Sequence, residues 1–304
     1  MSNDVIDTAP AGSGLGTPAT GSDAAVGAGL DALDTPTTRR PPLAGRALRA
    51  GVPPLVALGL ALALWQVLWA AAFWPEYKLP SPASVWHEFA KVLDSGEIWA
   101  IAWTSVHRGI LGFLASVLIA TPLGLLVAKV RVVRAAIGPL LAGMQSLPSV
   151  AWVPAAVLWF GLTDATIYFV ILLGAIPSIA NGLVAGIDQI PPILPRVGHV
   201  MGAGRVDSAR FILLPASLPG YLAGCKQGWA FSWRSLMAAE IIAVSPQLGI
   251  GLGAYLKTGS DYNSMPQVIA AIFLILLVGI GIELTVFRPA ERRVLRTRGL
   301  APAS

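Results

Sequence analysis

Charge is scarce in this sequence. Asp, Glu, Lys and Arg make up 12% of its 304 residues, about half of the ~25% usual in soluble domains. So few charges cannot clothe a water-facing surface, which excludes an ordinary soluble domain. Cysteine is nearly absent as well. The single Cys225 excludes an internal disulfide and any multi-cysteine metal site, and reads as a small residue at a helix start. The three histidines, His87, His107 and His199, are scattered. No Cys or acidic cluster stands near them at ligand spacing, which argues against a metal centre. Missing too are the ~10-residue alternating strands of a membrane β-barrel.

What fills the space is apolar: 55% of the residues, gathered into runs of the ~20 residues that cross a hydrocarbon core about 30 Å thick. With barrels excluded, helices remain, because only they satisfy every backbone group within the segment. The expected fold is an all-α membrane bundle of six transmembrane helices. The spans cover about Pro53 to Trp74, Trp103 to Lys129, Ala135 to Phe160, Ala165 to Ile187, Pro219 to Val244 and Pro266 to Phe287. Pro148 and Pro154 interrupt the third span, since each removes a backbone donor and clashes with the preceding turn. Breaks of this kind are buried in protein or line a cavity.

The termini read differently. Residues 1–38 are rich in Ala, Gly, Thr, Asp and Pro without apolar periodicity, so 1–50 is expected to be a disordered tail. Ala70-x-Ala72 after an apolar run has the form of a signal-peptide cleavage site. That run follows about fifty residues, is too long for a signal core and ends in aromatics, so it is expected to remain as a helix. Residues 291–304 form the C-terminal tail.

The net charge of +5 does not read as nucleic-acid binding, because the basic residues cluster at the edges of the spans. Arg39, Arg40, Arg46 and Arg49 precede the first. Lys129, Arg131 and Arg134 follow the second, and Arg196, Arg205 and Arg210 follow the fourth. Arg288, Arg292, Arg293, Arg296 and Arg298 follow the sixth. Against these fifteen, the other side has Lys78, Lys91 and Lys257. The bias puts both termini, and the loop at 190–218, in the cytoplasm. On the outer side, Ser81 and Pro82 open a short helix whose Val85, Trp86, Phe89, Val92 and Leu93 share a face. It either lies on the membrane surface or packs on the bundle.

In the 190–218 loop, Pro191, Pro192 and Pro195 discourage continuation of the fourth span. Short helices are expected over about Arg196–Met201 and Val206–Leu213, joined at Gly202 and Gly204 and stopped by Pro215. Such a knob, with apolar anchors and a charged rim, suits a partner groove, although a plain surface loop has the same spacing.

Ionisable residues inside spans are the other signal, because a central Arg costs about 2.5–3.5 kcal/mol on insertion scales. Arg108 lies in span two, Arg234 in span five between Trp233 and Ser235, Glu240 near that span's outer end and Glu283 in span six. Two readings stand side by side. Arg108, Arg234, Trp233, Ser235 and Glu240 line a translocation route for an oxyanion, which guanidinium suits through its paired planar donors. Alternatively, Arg108 or Arg234 pairs with Glu240 for structure.

Gly202, nine residues, then Ile212-x-Leu214-Pro215 resembles the cytoplasmic loop of ABC importer permeases (Glu-Ala-Ala, three residues, Gly, nine residues, Ile-x-Leu-Pro). Further stretches resemble the nitrate/sulfonate/taurine branch, the aliphatic sulfonate permeases in particular. They are Leu79-Pro80-Ser81-Pro82, Leu147 to Pro154, Trp159-Phe160-Gly161, Ala238-Ala239-Glu240 and Leu248-Gly249. One departure is clear: Arg196, Val197 and Gly198 stand where the family has Glu-Ala-Ala. The resemblance implies a type I permease fold in the plasma (inner) membrane. Gly202, Arg205, Ile212, Leu214 and Pro215 would belong to the loop that enters an ATPase subunit. The implied partners are two ATPase subunits, an extracytoplasmic solute-binding protein and a second permease copy. ATP would be used by the partner, so this chain would bind no cofactor and catalyse nothing. The implied solute is an aliphatic sulfonate, with nitrate, taurine or a pyrimidine precursor as alternatives.

Other classes fit less well. Gly249-Ile250-Gly251-Leu252-Gly253 lacks the lysine of a phosphate loop and falls on the outer side. A secondary transporter would have two related halves with matched broken helices, and only one broken span is evident. An intramembrane enzyme would need a nucleophile and base within reach. His107 with Ser105 or Thr104 is the only candidate, and Ser105, two positions away along the helix, does not face the histidine.

Overall fold

The computed structural model describes residues 43–298. The tail expected over 1–50 lies outside the described residues up to position 42. Its last eight residues instead belong to α1 (Leu43–Ala70). The chain divides into two compact units at 60/61, inside that helix. The first is described only as the early turns of α1. Everything below concerns the second.

α2 (Pro82–Asp94) starts as expected, with the Ser84 amide donating to Ser81 Oγ at 3.0 Å and a proline in the first turn. Its apolar face is split. Val85 and Val92 are buried and Phe89 half-buried, whereas Trp86 and Leu93 stay exposed. α2 therefore packs on the bundle along half of that face. Trp65 near the end of α1 donates from Nε1 to the Pro80 carbonyl at 3.1 Å, which fixes the approach to α2.

The long elements follow: α3 (Glu97–Lys129), α4 (Arg131–Ser146), α5 (Val153–Phe160) and α6 (Asp164–Asp188). Between α4 and α5 a 3-10 turn covers Ser149–Trp152, and the axis bends by 97° there. Pro148 makes the break. Pro154 does not interrupt a helix but sits in the first turn of α5, where a missing N–H costs nothing. The region beyond is α7 (Ile193–Val200), α8 (Arg205–Asp207), a π-helical turn at Ser208–Leu213 and α9 (Leu214–Ile242). Pro215 does not stop a helix, contrary to expectation. It occupies the first turn of α9, so the backbone runs helically from Arg205 to Ile242.

A helix invisible in the apolar pattern, α10 (Leu252–Asp261), precedes α11 (Met265–Ile282), which continues through a π-helical turn at Glu283–Phe287 into α12 (Arg288–Thr297). The first half of the expected C-terminal tail thus lies within α12. By length and composition three helices among the described residues can cross a membrane: α3, α6 and the stretch Met265–Thr297. α4 with Ser149–Phe160 makes a fourth if that bent pair is one span. α1 contributes a shorter apolar stretch, Leu55–Ala70. α9 is 29 residues long but carries Lys226, Arg234 and Glu240.

α6 is the axis of the core. Ile167, Val170, Ile171, Ala175, Ile179 and Leu183 have no exposed surface. Against one side lies α3, whose Gly109, Gly112, Ser116, Ala120 and Gly124 recur every three or four residues and form a shallow face. On the other side α6 and α9 touch backbone to backbone. A Cβ added to Gly182 would stand 2.3 Å from Gly224 Cα, and one on Gly220 would stand 2.6 Å from Gly186 Cα. Apolar lipid offers no hydrophobic drive to bring helices together, so close contact between small residues supplies the attraction. Both Gly-xxx-Gly pairs are visible in the sequence as small residues four apart.

Gly182→Val should therefore force α6 and α9 apart, at a cost of at least ~1–3 kcal/mol for overpacking. Gly281→Ala, where nothing lies within 4 Å of an added Cβ, should be neutral. Thermal unfolding of the detergent-solubilised protein, followed by size-exclusion fluorescence, measures both. Equal midpoints for the two variants would refute the seam.

Candidate functional site

Three clusters of side chains stand apart from plain packing. The first is buried. α3 aims Arg108 at the start of α6 and the end of α9. Its Nε donates to Asp164 Oδ1 at 2.8 Å, one terminal nitrogen reaches Glu240 Oε1 at 3.3 Å, and the other donates to the Leu248 carbonyl. Glu240 Oε2 also accepts from the Ser105 hydroxyl at 2.7 Å and from the Gly253 amide at 3.0 Å. Ser105 Oγ in turn accepts from the Leu252 amide at 2.8 Å. Arg108 and Glu240 are 6% and 2% exposed.

The glycine run at 249–253 now has a reason. A Cβ on Gly251 would lie 2.4 Å from Glu240 Oε1, so only glycine lets this segment close around the carboxylate. Arg108 and Glu240 thus pair with each other, the second of the two readings of these residues, and their remaining polar atoms meet Asp164, Ser105, the Leu248 carbonyl and the first turn of α10. Asp164 was missed, although an acid at the start of span four facing Arg108 was available as a signal.

The second cluster lines a cavity of ≈ 390 Å³ at the break in the third span, walled by Met144 to Val150, Gly174, Phe231, Arg234 and Ala238. Arg234 is exposed. Its Nε donates to the Ala230 carbonyl at 2.9 Å and its guanidinium lies 4.8 Å from the Phe231 ring centre. It makes no ion pair among the described residues, so its outer donors face the cavity. Ser235 Oγ and Ser149 Oγ are 2.6 Å apart, pinning α9 to the 3-10 turn. Trp233 points elsewhere. It is buried, stacks on Trp229 with centroids 6.0 Å apart, and lies against Gly279 of α11. Adjacent positions on a helix diverge by ~100°, and this separates Trp233 from the cavity that Arg234 enters.

The third cluster is the knob between α6 and α9. α6 ends at Asp188, whose carboxylate meets both terminal nitrogens of Arg134, at 2.8 and 2.5 Å. Past the prolines, α7 closes with Gly202 at φ +84°. The Gly202 amide donates to His199 O at 3.0 Å and the Ala203 amide to Gly198 O at 2.9 Å. These two bonds are a Schellman motif, which requires a left-handed residue at that point.

Arg205 opens α8, with the Gly204 amide held by Asp207 Oδ2 at 3.3 Å. Ile212 then folds back on α7: a Cβ on Gly198 would lie 2.1 Å from Ile212 Cδ1. This contact explains the glycine where the resembling pattern has alanine. Leu214 is half-buried and Pro215 exposed, while Val200, Met201, Val206 and Phe211 present apolar side chains outward. A groove between Leu194, Val197, Met201 and Phe211 opens beside them.

With this geometry in hand, the comparisons are specific. The family described as "binding-protein-dependent transport system inner membrane component" matches residues 120–288, and this chain belongs to it. Within it, the chain is an ABC importer permease of the nitrate/sulfonate/taurine branch. It is 26% identical to the taurine transport system permease protein TauC of Escherichia coli, over 80% of this chain and 88% of that protein. To the nitrate import permease protein NrtB of Leptolyngbya laminosa it is 27% identical, over 78% and 86% of the two chains. To the riboflavin transport system permease protein RibX of Chloroflexus aurantiacus it is 30% identical, over 75% and 83%. Among solved structures, an inward-facing MetNI methionine ABC transporter aligns with a TM-score of 0.50 at 19% identity, covering 64% of this chain and 93% of that one. It supports the type I permease fold. The chain is therefore a transport component.

The Arg108–Glu240 network makes a quantitative forecast. Arg108→Met should leave a buried carboxylate without its cation and destabilise the protein by ~3–5 kcal/mol. Adding Glu240→Gln should recover part of that loss. Unfolding midpoints of the purified variants measure it, and a double variant no better than Arg108→Met would disprove the coupling.

Proposed function

We propose that this chain is the membrane-embedded permease subunit of an ABC importer and moves a small anionic solute inward, an aliphatic sulfonate first among them. Taurine, nitrate or a pyrimidine precursor would use the same architecture. The observation that carries the reading is Arg234: a guanidinium at a cavity in a broken span, with no acid paired to it among the described residues. A planar fork with free donors suits the oxygens of a sulfonate or nitrate. The relatives' names span taurine, nitrate and riboflavin, so the choice of an anion rests on the site. Ser149 and Ser235 act beside Arg234 by holding α9 to the turn that shapes the cavity.

The complex consists of two permease copies, two ATPase subunits that hydrolyse ATP and an extracytoplasmic solute-binding protein. This chain holds no nucleotide itself. Six spans with both termini in the cytoplasm put the Gly202 knob on the ATPase side, in keeping with the arginine bias at the span edges. Gly202, Arg205, Ile212, Leu214 and Pro215 form that coupling element.

Two results follow. Arg234→Ala should lower uptake per folded transporter by about 10–100-fold, the worth of one charge-assisted hydrogen bond to the solute. The external half-saturation concentration should move little, because the binding protein sets it. Arg234→Lys should restore part of the rate. Normal uptake by Arg234→Ala in reconstituted vesicles would end the route hypothesis. For the knob, a topology reporter fused after Arg205 should read as cytoplasmic. Gly202→Val, which a β-branched residue cannot accommodate at φ +84°, should leave membrane insertion intact while abolishing solute-stimulated ATP hydrolysis. An outside signal, or full stimulation in that variant, would overturn the coupling role.

A further inference from the structure

The C-terminal helix carries a surface that neither the cavity nor the knob accounts for. Met265–Thr297 is one helical rod of 33 residues, about 50 Å at 1.5 Å per residue. The hydrocarbon core takes about 30 Å of that length and the headgroup layers bring the total to ~40–45 Å. The apolar run ends at Phe287, so α12 emerges at headgroup depth.

Its residues sort into two faces. Phe287, Glu291, Val294, Leu295 and Arg298 turn toward the bundle. Val294 and Leu295 line a crevice with Pro219, Leu222 and Ala223 of α9. Glu291 lies 3.5 Å from Lys226, which also holds Glu283 at 2.7 Å, and Arg298 donates to the Ala216 carbonyl at 3.2 Å. The opposite face carries Arg288, Arg292, Arg293 and Arg296, all exposed. They fall within an arc of about 140° at 100° per residue. None of the four makes an ion pair among the described residues. The one acid on the helix, Glu291, is turned inward to Lys226, which leaves the outer face purely cationic.

We propose that this arginine face binds anionic phospholipid headgroups. Depth and charge both point to that occupant: a basic cluster directly continuous with a membrane-crossing helix meets the layer where lipid phosphates lie, and long arginine side chains can reach back toward it. The lipid would do more than anchor the chain. Lys226–Glu291 ties α12 to the fourth turn of α9, and Arg298, just past α12, bonds the Ala216 carbonyl in the first turn, directly after the knob. Headgroups that hold α12 therefore steady the base of the coupling element. The inference rests on the membrane-spanning reading of the rod and is independent of which solute is carried.

The test uses the full chain in phosphatidylcholine vesicles containing a minority of phosphatidylglycerol, with spin-labelled forms of each lipid as probes. The wild type should retain phosphatidylglycerol over phosphatidylcholine, by about fivefold for each arginine engaged, and added salt should weaken the preference. The variant R288Q/R292Q/R293Q/R296Q should lose it. R288K/R292K/R293K/R296K should keep it, since surface attraction needs charge rather than a planar fork; this also separates lost binding from lost folding. A wild type without preference, or a glutamine variant that keeps it, overturns the proposal. If the face instead meets carboxylates of the ATPase subunit, the permease alone will show no lipid preference and the glutamine variant will fail to co-purify with that subunit, a result that likewise overturns it. Should Arg234→Ala leave uptake intact, the lipid measurement would be unaffected, so the two readings fail separately.

Discussion

The contact on which the rest of this structure depends is the meeting of α6 and α9 at Gly182, Gly186, Gly220 and Gly224. In lipid, helices gain little by hiding apolar side chains from one another, and only close approach produces attraction enough to fix an angle and a register. Once those backbones touch, α9 is set along its whole length. Its far end brings Glu240 to Arg108, its middle brings Arg234 to the broken span, and its first turns leave the knob projecting. One bulky residue in the seam would disturb all three.

Two arginines show how environment assigns a role. Arg108 and Arg234 are chemically identical and both lie within expected spans. Arg108 meets Asp164, Glu240 and the Leu248 carbonyl, so that each of its nitrogens has a partner. With Arg108 and Glu240 both buried, that pairing holds α3 to α9, because a buried charge stripped of its partner is costly. Arg234 has a backbone carbonyl and an aromatic face but no carboxylate. Its remaining donors are available for something that arrives and leaves.

The knob and the cavity share one mechanical element. α8, the π-helical turn and α9 form an unbroken helical path, and Ile212 locks α7 onto that path at Gly198. On the proposed reading, a partner that shifts the knob displaces the helix carrying Arg234 without any intervening hinge. The π-helical turn is the least regular part of the path, and π turns recur at functional positions.

Much of this was legible in the residues. The scarcity of charge and the apolar run lengths dictated a helical membrane protein, because bilayer thickness and the need to satisfy the backbone leave few alternatives. Pro148 announced the break, Ser81 the cap of α2, and Gly202 with Ile212-x-Leu214-Pro215 the knob. These features are local, set by one proline, one hydroxyl or one short spacing. Whether a proline ends a helix or begins one is not local: Pro154 sits in the first turn of α5 after the 3-10 turn, and Pro215 follows a π-helical turn through which the helical path continues. Only the tertiary structure could decide which of Arg108 and Arg234 takes an acid, why Gly251 and Gly253 must lack side chains, and that Trp233 faces away from the cavity its neighbour enters. Those outcomes depend on which atoms from distant parts of the chain come within 3 Å, and hydrophobic periodicity carries no information about that.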